Sequence, residues 1–212
     1  MLKRLALLAA MMMGAGPAMS DGEPAGAFDY YVLALSWSPT WCALEGDQRG
    51  SPQCDRPFGW VLHGLWPQNE RGWPSYCRTG ARDPARSETA AMGDIMGTPG
   101  AAWYQWKKHG RCAGLSAEDY FEAARKAYDA VVKPPVFRKL DAPVTLPASV
   151  IEDAFLKANP ALKPDMITIT CKSRRIQEAR ICLTRDFEPR VCGQDTVRDC
   201  AMTDALLDPI ED

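Results

Sequence analysis

Histidine is nearly absent from this chain: His63 and His109 are the only two in 212 residues. Neither has a second ligand at a structural-site interval, and no Cys-x-x-Cys or His-x₃-His spacing occurs, so neither a metal site nor another cofactor is expected. Positive charge is also in short supply. The sequence has 25 Lys and Arg against 27 Asp and Glu, which excludes binding to polyanions through a general basic surface and leaves only local contacts. No apolar run approaches the ~20 residues that span a bilayer, so no membrane anchor is expected. The apolar run from Leu5 to Met13 follows Lys3 and Arg4 and precedes Ala18-Met19-Ser20. It reads as an export leader over residues 1–20. The remaining 21–212 then form one periplasmic or secreted domain, whose charge becomes −4 once Lys3 and Arg4 are gone.

Cysteine, in contrast, is plentiful, at positions 42, 54, 77, 112, 171, 182, 192 and 200. An even number in an exported chain points to disulfides. The Gly- and Pro-rich stretch 42–58 reads as a loop stapled by Cys42 and Cys54.

Tyr30–Trp37 and Trp60–Trp66 read as β-strands, with Pro67 ending the second because it lacks an amide donor. Residues 68–86 form a loop with Trp73, Tyr76 and several arginines, a mixture suited to stacking on bases and contacting phosphate. Short helices are expected over 87–96 and 101–108. Ser116-x-x-Asp119 opens a longer helix of scaffold character, and 148–158 reads as another. Residues 133–147 read as a connection. Two strands, 166–171 and 176–183, pair through the turn 172–175, and a further short strand is expected before Cys192. The tail from Gly193 to Asp212 carries no legible chemical signal.

Each histidine precedes a glycine in an aromatic, polar cluster: Val61-Leu-His63-Gly64-Leu-Trp66-Pro67 and Trp106-Lys-Lys108-His109-Gly110-Arg-Cys112. On the helix ending at Lys108, i, i+4 spacing places Tyr104 over Lys108 and Gln105 over His109, so the four can line one edge of a cleft. The helix dipole at that end favours protonated His109. The run Lys107, Lys108 and Arg111 offers a local cationic contact. Two proton-transfer groups and a cation, without a metal, suit RNA phosphodiester cleavage. There the substrate's own 2′-hydroxyl is the nucleophile. DNA lacks that hydroxyl and is not expected as a substrate. Two ordinary core histidines are the competing reading, disfavoured by the paired clusters.

Phe58-Gly-Trp-Val-Leu-His63-Gly-Leu-Trp66-Pro67 and Tyr104-Gln105-Trp106-Lys107-Lys108-His109-Gly110-Arg111-Cys112 resemble the two active-site segments of the ribonuclease T2 family. The stretch from Tyr31 to Pro39 and the run Trp73-Pro-Ser-Tyr76-Cys77 resemble it too. The resemblance implies an α+β fold with a central antiparallel sheet flanked by helices, and no cofactor. It implies His109 as general base, His63 as general acid and Lys108 as the cation that stabilises the phosphorane. Trp66 and Tyr76 would stack on the base 5′ to the cut, with Gln68, Tyr104 and Gln105 completing the substrate site. The disulfides implied are Cys42–Cys54, Cys77–Cys112, Cys171–Cys200 and Cys182–Cys192. RNA would be cut with little base specificity through a 2′,3′-cyclic phosphate, by a monomer.

Many members carry His-Glu where this chain has Tyr104-Gln105. Glutamine hydrogen-bonds without carrying charge, so the His109 imidazolium is expected to be less stabilised than beside a glutamate. A weakly active RNA-binding or toxin-type protein is the alternative from a different class. A cysteine hydrolase using Cys112 beside His109 is a third, and it requires a free thiol.

Overall fold

A six-stranded sheet runs through the protein in the order β2-β1-β5-β6-β3, with β4 also paired to β5. The strands are β1 (Tyr30–Trp37), β2 (Trp60–Gln68), β3 (Val144–Leu146), β4 (Ile167–Lys172), β5 (Arg175–Leu183) and β6 (Ala205–Leu207). The helices are α1 (Ser38–Trp41), α2 (Arg86–Ala91), α3 (Gly93–Met96), α4 (Pro99–Lys108), α5 (Ala117–Ala130) and α6 (Ser149–Ala158). This computed structural model describes residues 22–211. The expected leader, 1–20, lies outside the described residues.

The fold is α+β, and the sheet is mixed rather than wholly antiparallel: β5 and β6 meet in parallel at Arg175 and Leu206. The tail, illegible in sequence, thus contributes a strand. It is further tied to the sheet by the Trp37 indole, which donates to the Asp208 carbonyl at 2.9 Å. No strand forms before Cys192; a single bridge between Leu183 and Pro189 stands there. Pro67 does not end β2. That strand pairs only with β1 and forms an edge of the sheet, where a residue without an amide donor is tolerated.

Alternation along β1 sends Tyr31, Leu33, Leu35 and Trp37 into the main core, beside Trp106, Tyr120 and Phe155 from the helices. Tyr30 and Val32 point to the opposite face. Ser116 caps α5 by accepting from the Asp119 amide at 3.1 Å, as its spacing predicts. The expected helix over 87–96 is broken into α2 and α3 at Met92. Disulfides join Cys42–Cys54, Cys77–Cys112, Cys171–Cys200 and Cys182–Cys192.

Candidate active site

The second face of the sheet carries the candidate site, because a register shift aims His63 there. Leu35 pairs with Leu62 and Ala34 with Gly64, which leaves His63 as the extra residue of a β-bulge. The bulge lets Leu62 and Leu65 both enter the core although they are three residues apart. It also leaves the His63 side chain 42% exposed.

The other histidine arrives from α4. Thr98 caps that helix by accepting from the Ala101 amide at 3.1 Å, Pro99 occupies the first turn, and His109 is its C-cap. Trp106, fully buried, fixes the helix in the core. Its indole donates to Asp83 at 2.8 Å. His109 is 5% exposed, and its Nδ1 has no hydrogen-bond partner among the described residues.

Trp66 stands between the imidazoles. It stacks on His109 with centroids 5.1 Å apart and meets His63 edge-on at 5.1 Å. Its indole donates to Gln105 Oε1 at 2.8 Å. That hydrogen bond crosses Gly64 so closely that a Cβ there would lie 2.4 Å from both Gln105 Oε1 and Trp66 Nε1. A Cβ at Gly110 would lie 2.6 Å from the Trp106 ring and 2.8 Å from Tyr120. The glycine after each histidine is therefore a packing requirement. Gly64→Ala should cost about 1 to 3 kcal/mol through overpacking. Urea melts would check this, and an unchanged midpoint would show that Trp66 and Gln105 yield without cost.

The two histidines differ electrically. Burial first, then the charges of Lys108 and His63, hold the His109 imidazole down at about 3. The helix dipole, expected to favour its protonated form, is outweighed by desolvation. His63 instead faces a carboxylate: its Nδ1 lies 2.5 Å from Glu178 Oε1. Burial raises the Glu178 carboxyl, yet its hydrogen bond with His63 and the charges of His63 and Arg180 bring it down to about 2. An anion is thus fixed beside one imidazole, whereas the charges acting on the other are those of Lys108 and His63.

These groups line a cleft of about 400 Å³ with Lys108, Tyr104, Gln105, Gln68 and Trp73. A second groove of about 800 Å³ adjoins it through His63, Tyr104, Gln105, Gln177 and Glu178. Among the described residues, the candidate metal cluster is Cys42, Asp47 and Cys54, and both of its sulfurs are spent in a disulfide.

A model of the Ribonuclease T2 family matches residues 28–200, a span that holds both histidine segments. The chain belongs to the ribonuclease T2 family. A ribonuclease of Aeromonas hydrophila is 40% identical over 126 residues, 58% of this chain and 56% of that protein. A probable ribonuclease of Haemophilus influenzae is 37% identical over 122 residues, 50% of this chain and 44% of that one. The chain thus spans about half the length of the curated relatives it matches. Among solved structures, an RNase-related protein from Calystegia sepium superposes with a TM-score of 0.65 at 21% identity, over 87% of this chain and 98% of that one. RNase NT in complex with 5′-AMP gives 0.61 at 18%, over 84% and 97%.

In this T2-family chain the sequence-predicted residues do not all converge. His63, His109, Lys108, Trp66, Gln68, Tyr104 and Gln105 line the cleft, whereas Tyr76 is not among its lining residues. Trp73, from the same loop, is. The ring is 51% exposed. The Tyr76 amide instead donates to the Lys108 carbonyl at 2.8 Å. Of the basic run only Lys108 reaches the cleft; Arg111 is paired with Asp83 at 2.6 Å. Cys112 is bonded to Cys77, so no thiolate is available for a cysteine hydrolase. Sequence reasoning missed Glu178 and Arg180 on β5, and Asp195, Thr196 and Arg198 from the tail. Tyr30 holds that tail segment by its hydrogen bond with Thr196 at 2.8 Å. No local signal marked Glu178, which shares a face of β5 with Arg180, opposite the core residues Ala179, Ile181 and Leu183.

Proposed function

We propose that the protein is an exported, metal-independent endoribonuclease, with residues 21–212 as one ribonuclease domain that cuts single-stranded RNA in the periplasm or outside the cell. The observation that carries this reading is the convergence on one cleft of two imidazoles, one buried and one held against a carboxylate. His109 lines the cleft beside Lys108, and burial holds its imidazole neutral, so its ring is free to accept the 2′-hydroxyl proton. His63, beside the Glu178 anion, suits the imidazolium that protonates the leaving 5′-oxygen. As the 2′-oxygen attacks phosphorus and the bond to the 5′-oxygen breaks, charge builds on the phosphoryl oxygens, and Lys108, which lines the cleft with Arg180 and Arg198, suits its stabilisation. The products are a 2′,3′-cyclic phosphate and a 5′-hydroxyl. Water then opens the cyclic ester to a 3′-phosphate.

Two grooves that share His63, Tyr104 and Glu178 give a polymer room to extend beyond the cut, which favours internal cleavage. Trp73, Tyr104 and Gln68 offer aromatic and amide surface to bases. A wall that reads bases mainly by stacking supports low sequence specificity.

The test is incubation with the dinucleotide CpA in EDTA. The expected outcome is conversion to cytidine 2′,3′-cyclic phosphate and adenosine, with deoxy-CpA untouched. Cleavage abolished by EDTA, or cutting of the deoxy substrate, would overturn the reading.

A further inference from the structure

We propose that Glu178, clamped by Arg180, is the positioning residue of His63: it fixes the imidazole as the Nδ1–H tautomer and turns Nε2 toward the cleft. This inference rests on the reading of His63 as the proton donor to the leaving group. Glu178 is 1% exposed, and both carboxylate oxygens are engaged. Oε1 takes His63 Nδ1 at 2.5 Å and the Ser36 hydroxyl at 3.2 Å. Oε2 takes Arg180 Nε at 2.8 Å and Arg180 Nη2 at 2.6 Å. Glu178 and Arg180 are two apart on β5 and share a face, opposite Ser36 and Ala34 of β1. The Arg180 guanidinium also lies 5.3 Å from the Trp66 ring centroid, and Trp66 meets His63 edge-on. Glu178, His63, Trp66 and Arg180 therefore form a closed ring of contacts, in which moving the carboxylate moves the imidazole.

The chemistry that follows is specific. In cleavage, the Nε2–H bond of the imidazolium breaks and its proton goes to the 5′-oxygen as the bond from that oxygen to phosphorus breaks. The electron pair stays on Nε2, and the other proton remains on Nδ1, hydrogen-bonded to Glu178. Which ring nitrogen keeps its proton is decided by the partner of the other. Nε2 is thereby left bare and facing the cleft, ready to take a proton from the water that opens the cyclic phosphate in the second step. Without Glu178 the neutral ring can place its proton on Nε2, where it is useless as a base.

Two measurements test this. In long-range ¹H–¹⁵N spectra of the wild-type protein in its neutral-imidazole form, Nδ1 of His63 should carry the proton and Nε2 should be unprotonated; the reverse pattern overturns the proposal and needs no substrate. For Glu178→Gln, kcat on CpA should fall about 10- to 100-fold with KM little changed, and the same change made in His63→Ala should add almost nothing. An unaltered kcat, or an equal further loss in the His63→Ala background, would show that the carboxylate serves only the fold. If the glutamine variant does not fold, the wild-type tautomer alone decides. Absence of CpA cleavage by the wild-type protein would instead remove the ribonuclease reading, whatever the tautomer.

Discussion

Replacing His109 with alanine should lower CpA cleavage by about 10² to 10⁴-fold, and His63→Ala should do the same, each with retained circular dichroism. The double variant should lie close to the singles, because an acid and a base that act in one transition state fail together. A substrate with an activated leaving group separates their roles. With a nitrophenyl ester in place of the 5′-nucleoside, the departing oxyanion needs no proton. His63→Ala should then recover most of the wild-type rate, while His109→Ala keeps its full loss, since the 2′-hydroxyl still has to be deprotonated. Recovery by His109→Ala instead would reverse the assignment of base and acid. Full activity of either variant on CpA would remove proton transfer by the pair altogether.

The asymmetry behind that expectation was only half legible in the chain. The two His-Gly clusters are local, and local chemistry reads well: β1 spans the run predicted for it, α5 begins at its Ser116 cap, and α4 carries Tyr104, Gln105, Lys108 and His109 along one edge of the cleft. Tertiary contacts decided the rest. Glu178 is 115 residues from His63, and no spacing rule connects them. The bulge at His63 is equally silent, because it exists only as a mismatch of register with β1. Tyr76 and Trp73 are three positions apart on one loop, and composition treats them alike; the chain path alone sends Trp73 to the cleft. The missing glutamate at 105 drew attention to His109, yet a carboxylate of the site, Glu178, sits against the other histidine.

Acid should weaken the fold steeply, and His109 should account for much of the effect. In the unfolded chain its imidazole takes a proton near 6.5, whereas in the folded protein it resists protonation down to about 3. Between those values the unfolded chain holds one more proton, so unfolding becomes easier as pH falls through the window. At about 1.4 kcal/mol per pH unit the loss reaches roughly 4 kcal/mol by pH 3. Glu178 acts in the same direction over a lower range. Its stabilisation is complete above 4.5 and is lost as pH falls toward about 2. Disulfides that close loops of 10 to 35 residues offset such losses by constraining the unfolded chain, at about 3 to 4 kcal/mol each on the loop-entropy relation. Urea titrations at pH 7, 5 and 3.5 should show the wild-type free energy dropping across this series, and His109→Gln, which has no proton to take up, dropping much less; parallel curves would place the acid sensitivity elsewhere. On the proposed mechanism the same burial sets the pH range of cleavage. A base that stays neutral down to about 3 puts the acid limb of kcat/KM far below the ordinary histidine range, so cleavage persists in acid until the fold itself gives way. Gln105→Glu places a carboxylate against Trp66, which stacks on His109. It should raise the acid limb and, by narrowing the gap to the unfolded value near 6.5, shrink the stability lost in acid, since one protonation controls the two.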